Sequence, residues 1–208
     1  MSAKDRRSRE KLARREAILK AAKAVFTEKG LLAATIDEVA QRAEVAKGTI
    51  YLYFTSKEEI LSALLDEGLA LVGKRFIEAV DPSLPADENL RRLCDAYYRV
   101  YREEPQYFKL LFFCSHADVK AKICANPSEC QGLPPLAALI KKGIDDGIFS
   151  PTVDPSKAAT IAWASSNGII LMCEQDPEGA TRFDLPIEEL LRTNMELLIR
   201  GLKVQKHE

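Results

Sequence analysis

The chain has 208 residues, 47% of them apolar, with 30 Lys and Arg against 31 Asp and Glu. That is enough apolar material to bury a sizeable core, as one medium domain or as a small domain beside a larger one. It has no apolar run of the length a transmembrane helix needs. Its charged N-terminus lacks the apolar segment of a secretory signal, so a cytoplasmic protein is expected.

The near-neutral total hides an asymmetry. Residues 1–57 hold 13 Lys and Arg against 7 Asp and Glu, a net +6, and the remainder carries −7. A basic head on an acidic body suits a protein that sets one end on a polyanion. Cys94, Cys114, Cys124, Cys130 and Cys173 read as free thiols in a cytosolic chain.

In chain order, nearly every segment shows helical periodicity and no strand pattern stands out. Residues 1–8 are expected to be disordered, with Arg6, Arg7 and Arg9 placed to add phosphate or minor-groove contacts. A first helix over about 9–29 turns Leu12, Ile18, Leu19, Ala22, Val25 and Phe26 inward and stops at Gly30. Thr35 and Glu38 form a T-x-x-E capping box that opens a second helix, with Ile36, Val39, Ala40 and Ala43 on one face. Glu44-Val45-Ala46 leaves room only for a tight turn before a short third helix. Val45, Ile50 and Phe54 point inward there, and Lys47, Thr49, Tyr51 and Tyr53 form the other face, donors suited to phosphates and base edges. A second capping box, Ser56-x-x-Glu59, starts the next helix. Lys57 in its first turn opposes the helix dipole and so calls for an anion nearby.

The run from Ile18 to Leu61 resembles the DNA-binding domain of the tetracycline-repressor (TetR) family. The resemblance rests on Ile18-Leu19-x-Ala21-Ala22, Phe26-x-x-x-Gly30, Thr35-Ile36-x-x-Val39-Ala40, Ala43-x-Val45-x-Lys47-Gly48-Thr49-Ile50-Tyr51-x-Tyr53-Phe54 and Lys57-Glu58-x-Ile60-Leu61. Two positions depart from the family pattern. Glu44 stands where Gly is usual, so its backbone is strained if φ is positive. Ala46 cannot cap the third helix as Ser or Thr would, though it can touch a thymine methyl. The resemblance implies a helix-turn-helix that sets Ala46, Lys47, Gly48, Thr49 and Tyr51 in the major groove, with Thr35, Tyr53 and Lys57 on phosphates.

Beyond it, a long fourth helix runs over about 57–80 and a fifth over about 87–103. A sixth starts at Pro105, a seventh spans about 134–146, an eighth about 155–175 and a ninth about 186–203. The expected fold is therefore all-α with about nine helices. Residues 1–56 are the three-helix DNA-binding head with its basic arm, and 57–208 the helical effector-binding and dimerisation domain. Ala158, Ala159, Ala162, Ala164, Ser165, Ser166 and Gly168 permit close approach to helix eight. Helix nine has two apolar stripes, Ile187, Leu191, Met195, Leu198 and Leu202 on one face and Leu190, Leu197 and Gly201 on another. One face can cover the core and the other a partner. The resemblance likewise implies a homodimer through these last two helices and a body that senses a small molecule.

Tyr97, Tyr101, Phe112, Trp163 and Asn167, with Tyr98 and Met172 beside them, are the candidates for lining an apolar effector pocket. The effector is accordingly expected to be apolar or aromatic with one or two polar groups. Cys114, His116, Cys124 and Cys130 are the only sulfur and imidazole cluster. Their spacing fits no paired zinc motif, so no metal site is assigned, and thiol or metal sensing is the alternative reading. No nucleophile elbow, phosphate loop or H-E-x-x-H is present, so neither an enzyme nor a cofactor is expected. A small-molecule binding protein without DNA binding is the remaining alternative.

Overall fold

The structure, a computed structural model, describes residues 3–113, 133–175 and 186–203. These form nine helices: α1 (Ala3–Ala33), α2 (Ile36–Arg42), α3 (Lys47–Tyr51), α4 (Lys57–Ala79), α5 (Ala86–Glu103), α6 (Pro105–Phe113), α7 (Leu133–Asp145), α8 (Pro155–Gln175) and α9 (Ile187–Leu202). Among the described residues the sole β feature is an isolated bridge between Phe149 and Lys203, so the all-α expectation holds. The chain divides into two compact units. One contains α1–α3, α4 up to Gly68, and α6; the other contains the rest of α4 with α5 and α7–α9.

One expectation for the first helix is corrected and one holds. Residues 3–8 are helical, because Ala, Lys, Arg and Glu favour helix and Arg6 and Glu10 pair at i,i+4, 3.7 Å apart. The expected stop at Gly30 is present: that residue leaves the helix at φ 75° and ψ 160°, and a separate turn follows to Ala33.

In the first unit, Ile18, Leu19, Ala22, Val25 and Phe26 of α1 meet Val39 and Ala40 of α2, Ile50 and Phe54 around α3, and Ile60, Leu61 and Leu64 of α4. All are buried, and these side chains are the main stabilising term for so small a unit. Leu110 of α6 joins the same core. Lys23 of α1 lies 4.4 Å over the Tyr107 ring and 3.3 Å from the Glu104 carboxylate, which ties the start of α6 to α1.

In the second unit α5 is buried along Leu90, Leu93, Cys94, Tyr97, Val100 and Tyr101. The α9 stripe that covers this core is Leu191, Met195 and Ile199, with Leu198 only half-buried beside it. Ion pairs fasten the same two helices, with Arg91 Nε 2.6 Å from Glu196 and Arg192 Nε 3.0 Å from Asp95. Asn89, buried, closes the connection between α4 and α5. Its amide oxygen accepts from Asp81 N–H at 2.8 Å and its Nδ2 donates to the Asp81 and Leu84 carbonyls.

Candidate nucleic-acid interface and effector crevice

The capping box at α2 forms in full. Glu38 N–H donates to Thr35 Oγ1 at 3.3 Å, and Thr35 N–H donates to the Glu38 carboxylate at 3.0 Å. Glu59 N–H likewise donates to Ser56 Oγ, while the Glu59 carboxylate takes both the N–H and the hydroxyl of Thr55 at 2.6 Å. The turn between α2 and α3 is a Schellman motif. Val45 N–H reaches the Ala40 carbonyl and Glu44 N–H the Gln41 carbonyl, with Glu44 at φ 54°. A β-carbon in this left-handed region costs roughly 1–2 kcal/mol, and the strain foreseen at Glu44 is present. Ala46 starts α3 without a side-chain cap.

The recognition helix is held from beneath by Ile50 and Phe54, both buried. That leaves Ala46, Lys47, Gly48 and Tyr51 exposed, Thr49 half-buried, and Thr35 exposed at the head of α2; Tyr53 is half-buried against the core. Leu52, 76% exposed, extends this surface and was not singled out. Only its place beside Tyr51 would have pointed to it. Lys47 Nζ pairs with Asp37 at 2.8 Å, and that hydrogen bond, then the carboxylate charge, raises the lysine pKa. A β-carbon added at Gly48 would meet nothing within the protein.

The structure gives Lys57 partners within the protein. Its ammonium donates to the carbonyls of Leu31 at 2.6 Å, Ala34 at 2.9 Å and Leu32 at 3.5 Å. The anion expected there is replaced by the C-terminal carbonyls that the bend at Gly30 leaves at the end of α1. All three donors are directed at them.

In the second unit an apolar crevice of about 30 Å³ is lined by Phe76, Leu93, Tyr97, Leu136, Trp163 and Met195, together with Cys94, Ala162 and Ser166. Of the predicted effector residues it brings together Tyr97 and Trp163. Asn167 braces both: Tyr97 Oη donates to Asn167 Oδ1 at 2.9 Å, and Asn167 Nδ2 donates to the Trp163 carbonyl at 2.8 Å. Burial pushes the Tyr97 phenol pKa up. Tyr101 turns instead to the Glu174 carboxylate, 2.6 Å away, and Met172 is exposed. Phe112 lies on α6, and its side chain is outside the described residues. Phe76 and Met195 carry the helical spacing of core positions, which is why sequence alone does not mark them as pocket lining.

Cys114, His116, Cys124 and Cys130 lie outside the described residues. Among the described residues no group of three metal-capable side chains converges. The Cys94 thiol donates to the Leu191 carbonyl at 3.4 Å, and burial pushes its pKa up to about 12. It is therefore protonated and unreactive near neutral pH.

A helix-turn-helix with an exposed recognition face, among described residues that are nearly all helical, defines the class: a DNA-binding transcriptional regulator. The profile described as bacterial regulatory proteins, tetR family, matches residues 18–64. An uncharacterized HTH-type transcriptional regulator, YhgD of Bacillus subtilis, is 33% identical over 142 residues, covering 68% of this chain and 73% of that protein. The HTH-type transcriptional repressor KstR2 of Mycobacterium tuberculosis is 28% identical over 151 residues, covering 68% and 72%. The fold is that of the transcriptional regulator FadR from Bacillus subtilis in complex with stearoyl-CoA, with a TM-score of 0.77 at 23% identity over 90% of this chain and 98% of that one. The chain belongs to the TetR family. No helix among its described residues is long and apolar enough to cross a membrane.

Proposed function

We propose that the protein is a cytoplasmic repressor that binds a palindromic operator as a homodimer and is released by a small apolar effector, without catalytic activity of its own. The observation that carries this is the α2–α3 surface. Gly48 is open on the protein side, so close approach of a base or phosphate, rather than internal packing, accounts for a glycine there. Residues 1–56 serve as the DNA-binding domain and 57–208 as the effector and dimerisation domain. Ala46, Lys47, Gly48, Thr49 and Tyr51 read the major groove and Thr35 and Tyr53 hold phosphates, while Lys57 positions the head. Lys47 exchanges Asp37 for DNA on binding.

The dimer surface is the side of α8 and α9 turned away from the core. Ile161, Met172 and Leu197 are exposed there, and Gly168 has open space before it, which admits a close partner helix. A palindromic site needs two heads about 34 Å apart, or a multiple of that. Leu197→Glu should lower dimerisation and DNA affinity together while leaving the melting temperature of the isolated protomer unchanged. Analytical ultracentrifugation at micromolar concentration checks it, and a wild-type monomer that still binds a palindrome tightly would sink the dimer.

The crevice supports the switch. At about 30 Å³ it admits water-sized groups, whereas a ligand needs roughly 300 Å³ or more. A ligand must therefore part Phe76 of α4 from Tyr97 of α5, Trp163 of α8 and Met195 of α9. The helix that carries Phe76 also carries Ile60, Leu61 and Leu64 of the head core. Because the FadR relative in fold holds stearoyl-CoA, long-chain acyl thioesters are the first compounds to try. The test is calorimetry with stearoyl-CoA, then with an aromatic library, in the presence and absence of operator. A coupling of about 1–3 kcal/mol makes the operator weaken ligand binding roughly 5- to 150-fold. Equal affinities in the two titrations show that the compound is not the inducer.

A further inference from the structure

Residues 5–14 of α1 are all exposed, so the first turns of this helix stand clear of the first unit's core. Helix geometry gives this overhang a definite sidedness. At about 100° per residue, Arg7, Lys11, Arg14 and Arg15 fall within one sector of roughly 100°. That sector is the continuation of the side that, further along the same unbroken helix, buries Ile18, Ala22 and Val25. The side of α1 that is apolar over the core thus becomes basic beyond it. The acidic residues Asp5, Glu10 and Glu16 lie outside the sector, and Arg6, also outside it, pairs with Glu10. At the inner end of the stripe Arg15 sits 5.1 Å from the centre of the Phe54 ring, in the turn that closes the recognition helix.

We infer that Arg7, Lys11 and Arg14 form a rigid basic rail that grips the DNA backbone beside the segment α3 reads. The rail rests on the DNA-binding function proposed above. It replaces the disordered arm expected from sequence, and it selects Arg7 over Arg6 and Arg9. From Arg7 to Arg15 it runs about 12 Å, and a DNA strand carries a phosphate every 3.4 Å or so along the axis, so several phosphates come within its reach. Its side chains are solvent-exposed, with no hydrophobic anchor in the sector, so what they supply is charge and not base recognition.

The test compares full-length wild type, the triple variant Arg7→Gln/Lys11→Gln/Arg14→Gln and the off-sector control Arg6→Gln/Arg9→Gln. Each is titrated at several salt concentrations against two probes: the duplex that wild type enriches from a random-sequence library, and an unrelated duplex of equal length. The triple variant should lower the slope of log affinity against log salt by about 3 per protomer on both probes, with base preference and melting temperature unchanged. The control should change the slope by clearly less. An unchanged slope in the triple variant, or equal losses in both variants, overturns the rail even if α3 still selects its operator. Failure of wild type to enrich any sequence overturns the function reading instead, and the slope on the unrelated duplex still decides the rail.

Discussion

Gly143→Ala should destabilise the second unit by about 2 kcal/mol and lower the melting temperature by roughly 4–8 °C. Gly143 lies buried in α7, and a β-carbon there would overlap the Phe149 ring and come within 2.9 Å of the Ala86 β-carbon. The ring has no room to retreat. Phe149 is fully buried, its N–H and that of Ile148 both donate to the Gly143 carbonyl, and Ser150 N–H is tied to the Leu202 carbonyl at 2.8 Å. Gly147 at φ 72° makes this return of the chain possible. Alanine gains about 1 kcal/mol in helix propensity over glycine, and overpacking costs of about 3 kcal/mol outweigh it. Thermal unfolding followed by circular dichroism measures the difference. The double variant Gly143→Ala/Phe149→Leu should recover part of the loss, because the smaller side chain vacates the contested space. A single variant that melts with wild type would mean the helix end shifts at no cost, and the close packing seen here would not limit stability.

What could be read in the sequence was what local chemistry dictates. The Thr35–Glu38 box, the strain at Glu44, the uncapped start of α3 and the second apolar stripe of α9 each depend on a few neighbours and a known period. Gly143 is a different case, since Phe149 meets it only through a turn whose geometry no periodicity encodes. The same limit applies to the crevice. Tyr97 and Trp163 were candidates as aromatics, while Phe76, Leu136 and Met195 come from three other helices and looked like ordinary core. At the N-terminus, composition alone argued for disorder, whereas helix propensity together with i,i+4 pairing makes residues 3–8 helical.

Lys57 is where sequence and structure assign different partners, and one substitution separates them. Lys57→Met keeps the aliphatic stem and removes the ammonium that gathers the Leu31, Leu32 and Ala34 carbonyls. Hydrogen bonds to a charged donor are worth about 1.5–3 kcal/mol where they are well made. Leu31 and Ala34 are buried residues, so their carbonyls are poorly placed to find water instead. The head should lose about 2–3 kcal/mol. Lys57→Arg should rescue little, since a planar guanidinium cannot converge on three carbonyls as an ammonium can. DNA affinity should fall for every duplex, because α1 and the start of α4 no longer hold α2 and α3 in one arrangement. The salt dependence then tells the two roles apart. A phosphate contact at Lys57 would reduce the slope by about one charge when it is removed. A lysine occupied by carbonyls leaves the slope as it was, and lowers affinity through the loosened head alone. The geometry predicts the second result; a slope smaller by one would return Lys57 to the phosphate role that its place in the first turn of α4 first implied.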